Sequence, residues 1–172
     1  SHVIFDSSRG VSSSINTALA PNVTDAEGLG TNVTTSAQFG GISAFLSNGF
    51  TLKEGNTDDA RYTNKSSNTY VGWAWKANGG TTSSNTDGSI TSTVQANTTA
   101  GFSIVTYTGT GSAGTIGHGL GKVPKWILIK DRDTARNWIV YHAENTSAPE
   151  TDYLHLNTDN ATQDSAIFFN DT

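Results

Sequence analysis

Tyr70-Val-Gly-Trp-Ala-Trp-Lys76 is the stretch on which the reading of the fold turns. Val71, Trp73 and Trp75 alternate with Gly72 and Ala74, so a period of two collects the large apolar side chains on one face. That pattern predicts a half-buried strand with Trp73 and Trp75 in a core. Lys125-Trp-Ile-Leu-Ile-Lys130 is continuous rather than alternating. It reads as a central strand covered on both sides, which places Trp126 in the core as well. Pro124 stands just before it, where a missing N–H does little harm. Trp138 opens a further apolar segment and is the one of the four with room to be exposed.

Working outward, the same β-branched and aromatic character, bounded by Gly, Asn, Asp or Ser, marks short strands elsewhere. They are His2–Phe5, Phe50–Leu52, Phe102–Tyr107, Asn137–Tyr141, Tyr153–Leu156 and Ile167–Phe169. Ser36–Leu46 has room for one helical turn, weakened by Gly40-Gly41. Residues 78–99 hold almost no large apolar side chain except Ile90 and Val94. They read as a linker, with one edge strand at Ser89–Gln95. The chain then divides into a front half-unit, 1–77, and a back half-unit, 100–172, together about one globular β domain.

Composition supports this class. The 172 residues are 15% charged, against about 25% in an ordinary globular domain. The polar bulk is Ser, Thr, Asn and Gly, which favour turns and compete with the backbone inside helices. The hydrophobic fraction is only 34%, yet 4 Trp, 5 Tyr and 7 Phe are kept, which a disordered chain would lack. The predicted fold is therefore all-β: an antiparallel β-sandwich, jelly-roll-like, with long polar loops. The net charge of −5 argues against nucleic-acid binding and against an anionic membrane surface. No apolar run approaches the ~20 residues of a membrane helix. The absence of Cys removes disulfides and thiolate metal sites. Ser1–Asp6 has no basic region followed by an apolar one, so no signal peptide is expected there, and the lack of an initial Met points to processing or a partial chain.

Four back-half segments now matter together. They are Gly101-Phe-Ser-Ile-Val-Thr-Tyr-Thr-Gly109, Gly117-His-Gly-Leu-Gly121 with Pro124-Lys125, Asn137-Trp138, and Tyr153-Leu-His-Leu-Asn-Thr158. This set resembles a β-rich repeat of large structural proteins of marine bacteriophages, of the tail-fibre or virion-associated kind. In that family the unit continues to a G-F-T-L-G-like strand and closes on a Y-V-A-W-x-W-like strand. Asn48-Gly-Phe-Thr-Leu52 and Thr69-Tyr-Val-Gly-Trp-Ala-Trp-Lys76 resemble those elements but come earlier in the chain. The resemblance therefore implies a permuted order, in which 100–172 followed by 1–77 makes about one unit. It implies a particle component at a virion or outside the cell, with no reaction and no catalytic residue.

The chemical motifs are poor. Gly109-Thr-Gly-Ser-Ala-Gly114 fits G-x-G-x-x-G, but the glycine-rich residues 115–124 cannot start the helix that a dinucleotide site needs. Gly121-Lys122 lacks the remainder of a phosphate loop. There is no G-x-S-x-G elbow. Glu27, Glu54, Glu144 and Glu150 sit in polar stretches, unlike the paired acids of a glycosidase. His2, His118, His142 and His155 have no ligand spacing, although His142 and His155 stand on neighbouring strands where they can converge on a metal. Asn56-Thr-Asp-Asp59, Asp131-Arg-Asp133 and Asn157-Thr-Asp-Asn160 are oxygen-rich loops compatible with Ca²⁺, and Asx turns explain them equally well. Seven N-x-S/T sequons, at Asn22, Asn32, Asn64, Asn97, Asn145, Asn160 and Asn170, matter only in a host that glycosylates.

The expectation is thus a non-enzymatic structural subunit of a virion appendage or extracellular filament, with no catalytic, cofactor or metal residues. Its partner is itself, head to tail, through β-strand complementation between subunits. The alternative is a carbohydrate-binding, receptor-recognition module that stacks a cell-surface glycan on an exposed aromatic.

Overall fold

The structure is a computed structural model and describes residues 2–11, 17–28, 40–53, 63–165 and 167–169. Among them the chain is all-β, with antiparallel sheets and almost no helix, as the composition predicts. The strands are β1 (Gly41–Leu46), β2 (Gly49–Lys53), β3 (Ser83–Asn85), β4 (Ser92–Asn97), β5 (Phe102–Tyr107), β6 (Trp126–Ile129), β7 (Ile139–His142), β8 (Asp152–His155) and β9 (Gln163–Asp164). They form three sheets, β1-β2, β3-β4-β5 and β6-β7-β8-β9, consistent with a sandwich-like fold, and no sheet closes into a barrel. Within each sheet the strand order follows the chain.

Two compact units divide these sheets, and they do not follow the predicted halves. The smaller comprises Asp6–Gly10 and Val71–Pro124; the larger comprises Ser1–Phe5, Val11–Tyr70 and Lys125–Thr172. Residues 78–99 are no linker. They supply β3 and β4, and β4 is the central strand of its sheet, not an edge. Its apolar content is low because a polar side chain fills the interior. Gln95 is 1% exposed, and its amide oxygen accepts hydrogen bonds from the backbone N–H of Asn78 (3.0 Å) and Gly80 (2.8 Å). Its NH₂ donates to Ser8 Oγ at 2.7 Å and Ser7 Oγ at 3.1 Å. A buried amide costs free energy unless so satisfied. The opposite face of β4 carries Val94, against which Gly119 packs: a Cβ there would lie 3.1 Å from Val94 Cγ1, and the φ of +71° suits only glycine.

In the larger unit, β6 to β9 form a meander. Trp138, just before β7, is 4% exposed and donates its indole N–H to the Ala20 carbonyl at 2.9 Å. Ala18, Leu19, Ala20 and Val140 are buried with it. Arg132 donates to the Glu27 carboxylate at 2.6 Å, and Leu19 bridges Ile4. Front-half residues therefore close on back-half residues within a single chain. The opposite face of the meander is covered by Phe168, 4.4 Å from Tyr153 between ring centroids, and Phe169, 5.3 Å from Tyr141. Ile167–Phe169 is thus a turn that packs, not a strand.

The tryptophan assignments reverse. Trp126 is exposed because β6 is an edge strand, not a central one, and Trp126 is its first residue, opposite His142 at the end away from Trp138. Trp73 and Trp75 are 73% and 65% exposed, because among the described residues Tyr70–Lys76 pairs with no other strand and its alternation has no sheet to face. The Gly41–Leu46 end of the suggested helical turn is β1, paired with β2 across a Ser47-Asn48 turn; residues 36–39 lie outside the described residues.

Candidate functional site

The segment Val71–Trp75 belongs to no strand, and Val71, Trp73 and Trp75 are all exposed. Among the described residues, nothing hydrogen-bonds to its backbone. Its C-terminal end is anchored firmly. Asn97 of β4 donates its side-chain N–H to the carbonyls of Lys76 (3.1 Å) and Ala77 (3.3 Å), Ala77 is buried, and the Trp75 ring stacks on Phe102 at 6.2 Å and 19°. The segment is therefore held at one end, with its large apolar side chains exposed and no strand partner among the described residues. Beside it lies a shallow depression of about 460 Å³ lined by Lys76, Asn78, Asn97 and Thr98, with Ala77, Gly79 and Ala96.

The same sheet has an open side. β5 lies at the edge of the β3-β4-β5 order, and its backbone bonds only to β4 among the described residues. At its end, partial burial pushes the Tyr107 phenol above its ordinary pKa. A separate apolar patch lies in the larger unit, where the Phe45–Phe50 cross-strand pair and Leu46 are exposed at the tip of the β1-β2 hairpin.

The motifs singled out in the sequence resolve into structural parts. The glycine-rich run after β5 passes along β3 and β4. Gly117 leaves no room for a Cβ beside Asn85 Oδ1, and Thr115 pairs with Ser89 and Ile90. It is a packing device of close backbone approaches and opens no helix. His142 and His155 do not converge: His155 stands opposite Ile139, three residues from His142 on β7, so they occupy opposite faces. Among the described residues no group of three or more His, Asp or Glu is placed to hold a metal.

In the Asp131 loop the carbonyls of Thr24, Asp131, Thr134 and Arg136 accept from the Lys130 ammonium at 2.9–3.4 Å. The cation in that ring of oxygens is the protein's own. Burial lowers the Lys130 pKa, opposed by the nearby Asp131 and Asp25. Asp131 accepts the N–H groups of Thr134 and Asp133, and these bonds hold its carboxyl below the ordinary range. Asn157 bonds Trp138 N and Asn137, an interstrand tie. The Asn97 sequon amide is engaged with Lys76 and Ala77. Asn56–Asp59, Asn32 and Asn170 lie outside the described residues.

Sequence reasoning singled out Tyr70–Lys76 and mistook its exposure. It missed Gln95 and Lys130 altogether, since a polar residue's burial is set by distant partners that no local pattern encodes.

Neither the curated proteins nor the solved structures contain a match to this chain. A family model described as a domain of unknown function (DUF7483) matches residues 1–172, and the chain belongs to that family.

Proposed function

We propose that the protein is a non-enzymatic structural subunit of a virion appendage or extracellular filament, and that copies join through β-strand pairing. The observation that carries this reading is Val71–Trp75, a segment with three exposed apolar side chains whose backbone makes no hydrogen bond among the described residues. Such a segment is a template for strand addition. The exchange is narrower than the sequence suggests. Front and back halves meet in one chain around Trp138, so the shared element is this segment and not a whole half-unit. Sedimentation velocity over a wide concentration range tests the reading. The expected result is concentration-dependent assembly that is lost when Val71, Trp73 and Trp75 are all replaced by Ser. A wild-type chain that stays monomeric throughout sinks it.

A second reading, a carbohydrate-binding module for receptor recognition, draws on the polar depression beside Trp75. Exposed Trp faces flanked by Asn and Lys suit sugar rings, which present C–H faces and hydroxyl edges. Saturable quenching of Trp fluorescence by oligosaccharides, in a chain that does not assemble, would favour it.

A further inference from the structure

The turn that leads into β3 places a reactive step beside the buried amide of β4. The Thr81 N–H donates to the Asn78 carbonyl at 3.1 Å, and Gly79 and Gly80 have φ of +63° and +89°. Positive φ at both central residues makes this a type I′ turn. Glycine is therefore favoured at position 79, directly after an asparagine. We infer that Asn78 is a site of spontaneous deamidation, and that the change undoes the hydrogen-bonded centre of the smaller unit at Gln95.

The only co-reactant is water. The Gly79 backbone nitrogen gives up its proton and attacks Asn78 Cγ, and Nδ2 leaves as ammonia. The product is a five-membered succinimide. Water adds to one of its two carbonyl carbons and breaks that carbon's bond to the Gly79 nitrogen. Opening at the main-chain carbonyl carbon leaves isoaspartate, whose backbone runs through Cβ and Cγ. Opening at Cγ leaves an ordinary aspartate. Position 79 offers no side chain to obstruct the attack, and even a Cβ there would meet nothing within 4 Å. Asn78, Gly79 and Gly80 are exposed, so water reaches the ring. The leaving group is loosely held, since Asn78 Nδ2 donates to the Thr81 carbonyl at 3.4 Å.

The sequence holds two further steps of this kind, and the structure disfavours both. Gly49 of Asn48-Gly49 already belongs to β2 and faces Leu46 across a two-residue turn, which fixes its backbone in the ladder. Asp87 of Asp87-Gly88 is held by Asn85, which donates to its carboxylate at 2.9 Å and accepts its N–H at 3.0 Å. Gly88 is pressed against the Thr115 backbone, leaving no room for a ring.

The consequence follows from where the turn is fastened. The N–H groups of Asn78 and Gly80 converge on one oxygen, Gln95 Oε1, at 3.0 and 2.8 Å. Isoaspartate inserts one more backbone atom between those two donors, so they no longer meet on a single acceptor. Gln95 is 1% exposed, and a lost partner there is not replaced by solvent. Its NH₂ also holds Ser7 and Ser8, so the damage spreads to Asp6–Gly10.

The test ages the folded chain at mildly alkaline pH, with a parallel sample in urea. Both are digested with pepsin in acid, which halts the reaction, and mapped by mass spectrometry. The expected result is deamidation several-fold faster at Asn78 than at Asn48 in the folded chain, with the two comparable in urea. A folded chain in which Asn78 reacts no faster than Asn48 overturns the site. The isoaspartate form, separated by ion exchange, should unfold at lower urea concentration and lose hydrogen-exchange protection at the Gly80 amide. Asn78→Asp adds the same charge without the extra backbone atom, and its fresh preparation should unfold near wild type. An isoaspartate form as stable as the fresh chain, or an equal loss in Asn78→Asp, overturns the effect on Gln95.

Discussion

The Gln95 amide oxygen satisfies two backbone N–H groups, and its NH₂ holds two serine hydroxyls. Gln95→Leu keeps much of the volume and strands those donors in a closed site. The expected loss is about 2–3 kcal/mol of stability, read by urea denaturation. Trp138 and Trp73 separate packing from exposure. Trp138→Ala should cost about 3–5 kcal/mol, since it empties the space beside Val140 and frees the Ala20 carbonyl. Trp73→Ala should cost under about 0.5 kcal/mol in the dilute monomer, because nothing is buried there to lose. Asp131 has a pH signature. Its folded pKa lies below the unfolded one, so its contribution is present above the ordinary aspartate value and is lost as pH falls through the lower folded value. In an NMR titration the Asp133 and Thr134 amide shifts should move together, with a midpoint below 3.8.

At the scale of elements, the approach of Gly88 to the chain before β6 is the tightest test. A Cβ on Gly88 would lie 2.2 Å from the Thr115 carbonyl oxygen, a backbone atom that cannot turn aside. Gly88→Ala should destabilise the smaller unit by about 1–3 kcal/mol. Gly109→Ala, with nothing within 4 Å, should be neutral within about 0.5 kcal/mol, and thermal melts of the pair read the contrast. The strands legible in the sequence were those with dense β-branched and aromatic runs: β2, β5, β6, β7 and β8. β3, Ser-Ser-Asn, and β9, Gln-Asp, carry no such signal, because each is a short edge recruited by its neighbour. β4 was legible as a strand and misread as an edge, since Ser92-Thr-Val-Gln-Ala-Asn97 owes its central place to Gln95 and to Gly119 packed over Val94. Tyr70–Lys76 shows the converse. Its pattern is that of a strand, but pairing is a property of two segments, and one segment's sequence does not contain it.

For the molecule as a whole, local opening should be unevenly distributed. The amides of Val71–Trp75 have no acceptor among the described residues, whereas β4 is bonded on both sides along its first half. Hydrogen exchange of dilute protein should show this segment exchanging near the rate of an unfolded chain, while Ser92–Val94 exchange slowest in the smaller unit. Concentrating the protein should slow the segment if copies pair through it. The all-β class was readable from composition; the division into two interleaved units was not, because Asp6–Gly10 joins the smaller unit through long-range side-chain bonds such as those of Ser7 and Ser8 to Gln95. The buried apolar residues named above are mostly small, Ala18, Ala20 and Ala77 with Leu19, Val94 and Val140, and Trp138 alone is large. Heat capacity changes on unfolding in proportion to the apolar surface newly wetted. A subunit whose described residues bury so little of it should show a flat free-energy curve against temperature in calorimetry. The proposed contact between copies through Val71, Trp73 and Trp75 is of the opposite kind, apolar and steeply temperature-dependent. Cooling should therefore loosen the joints between copies while leaving each copy folded.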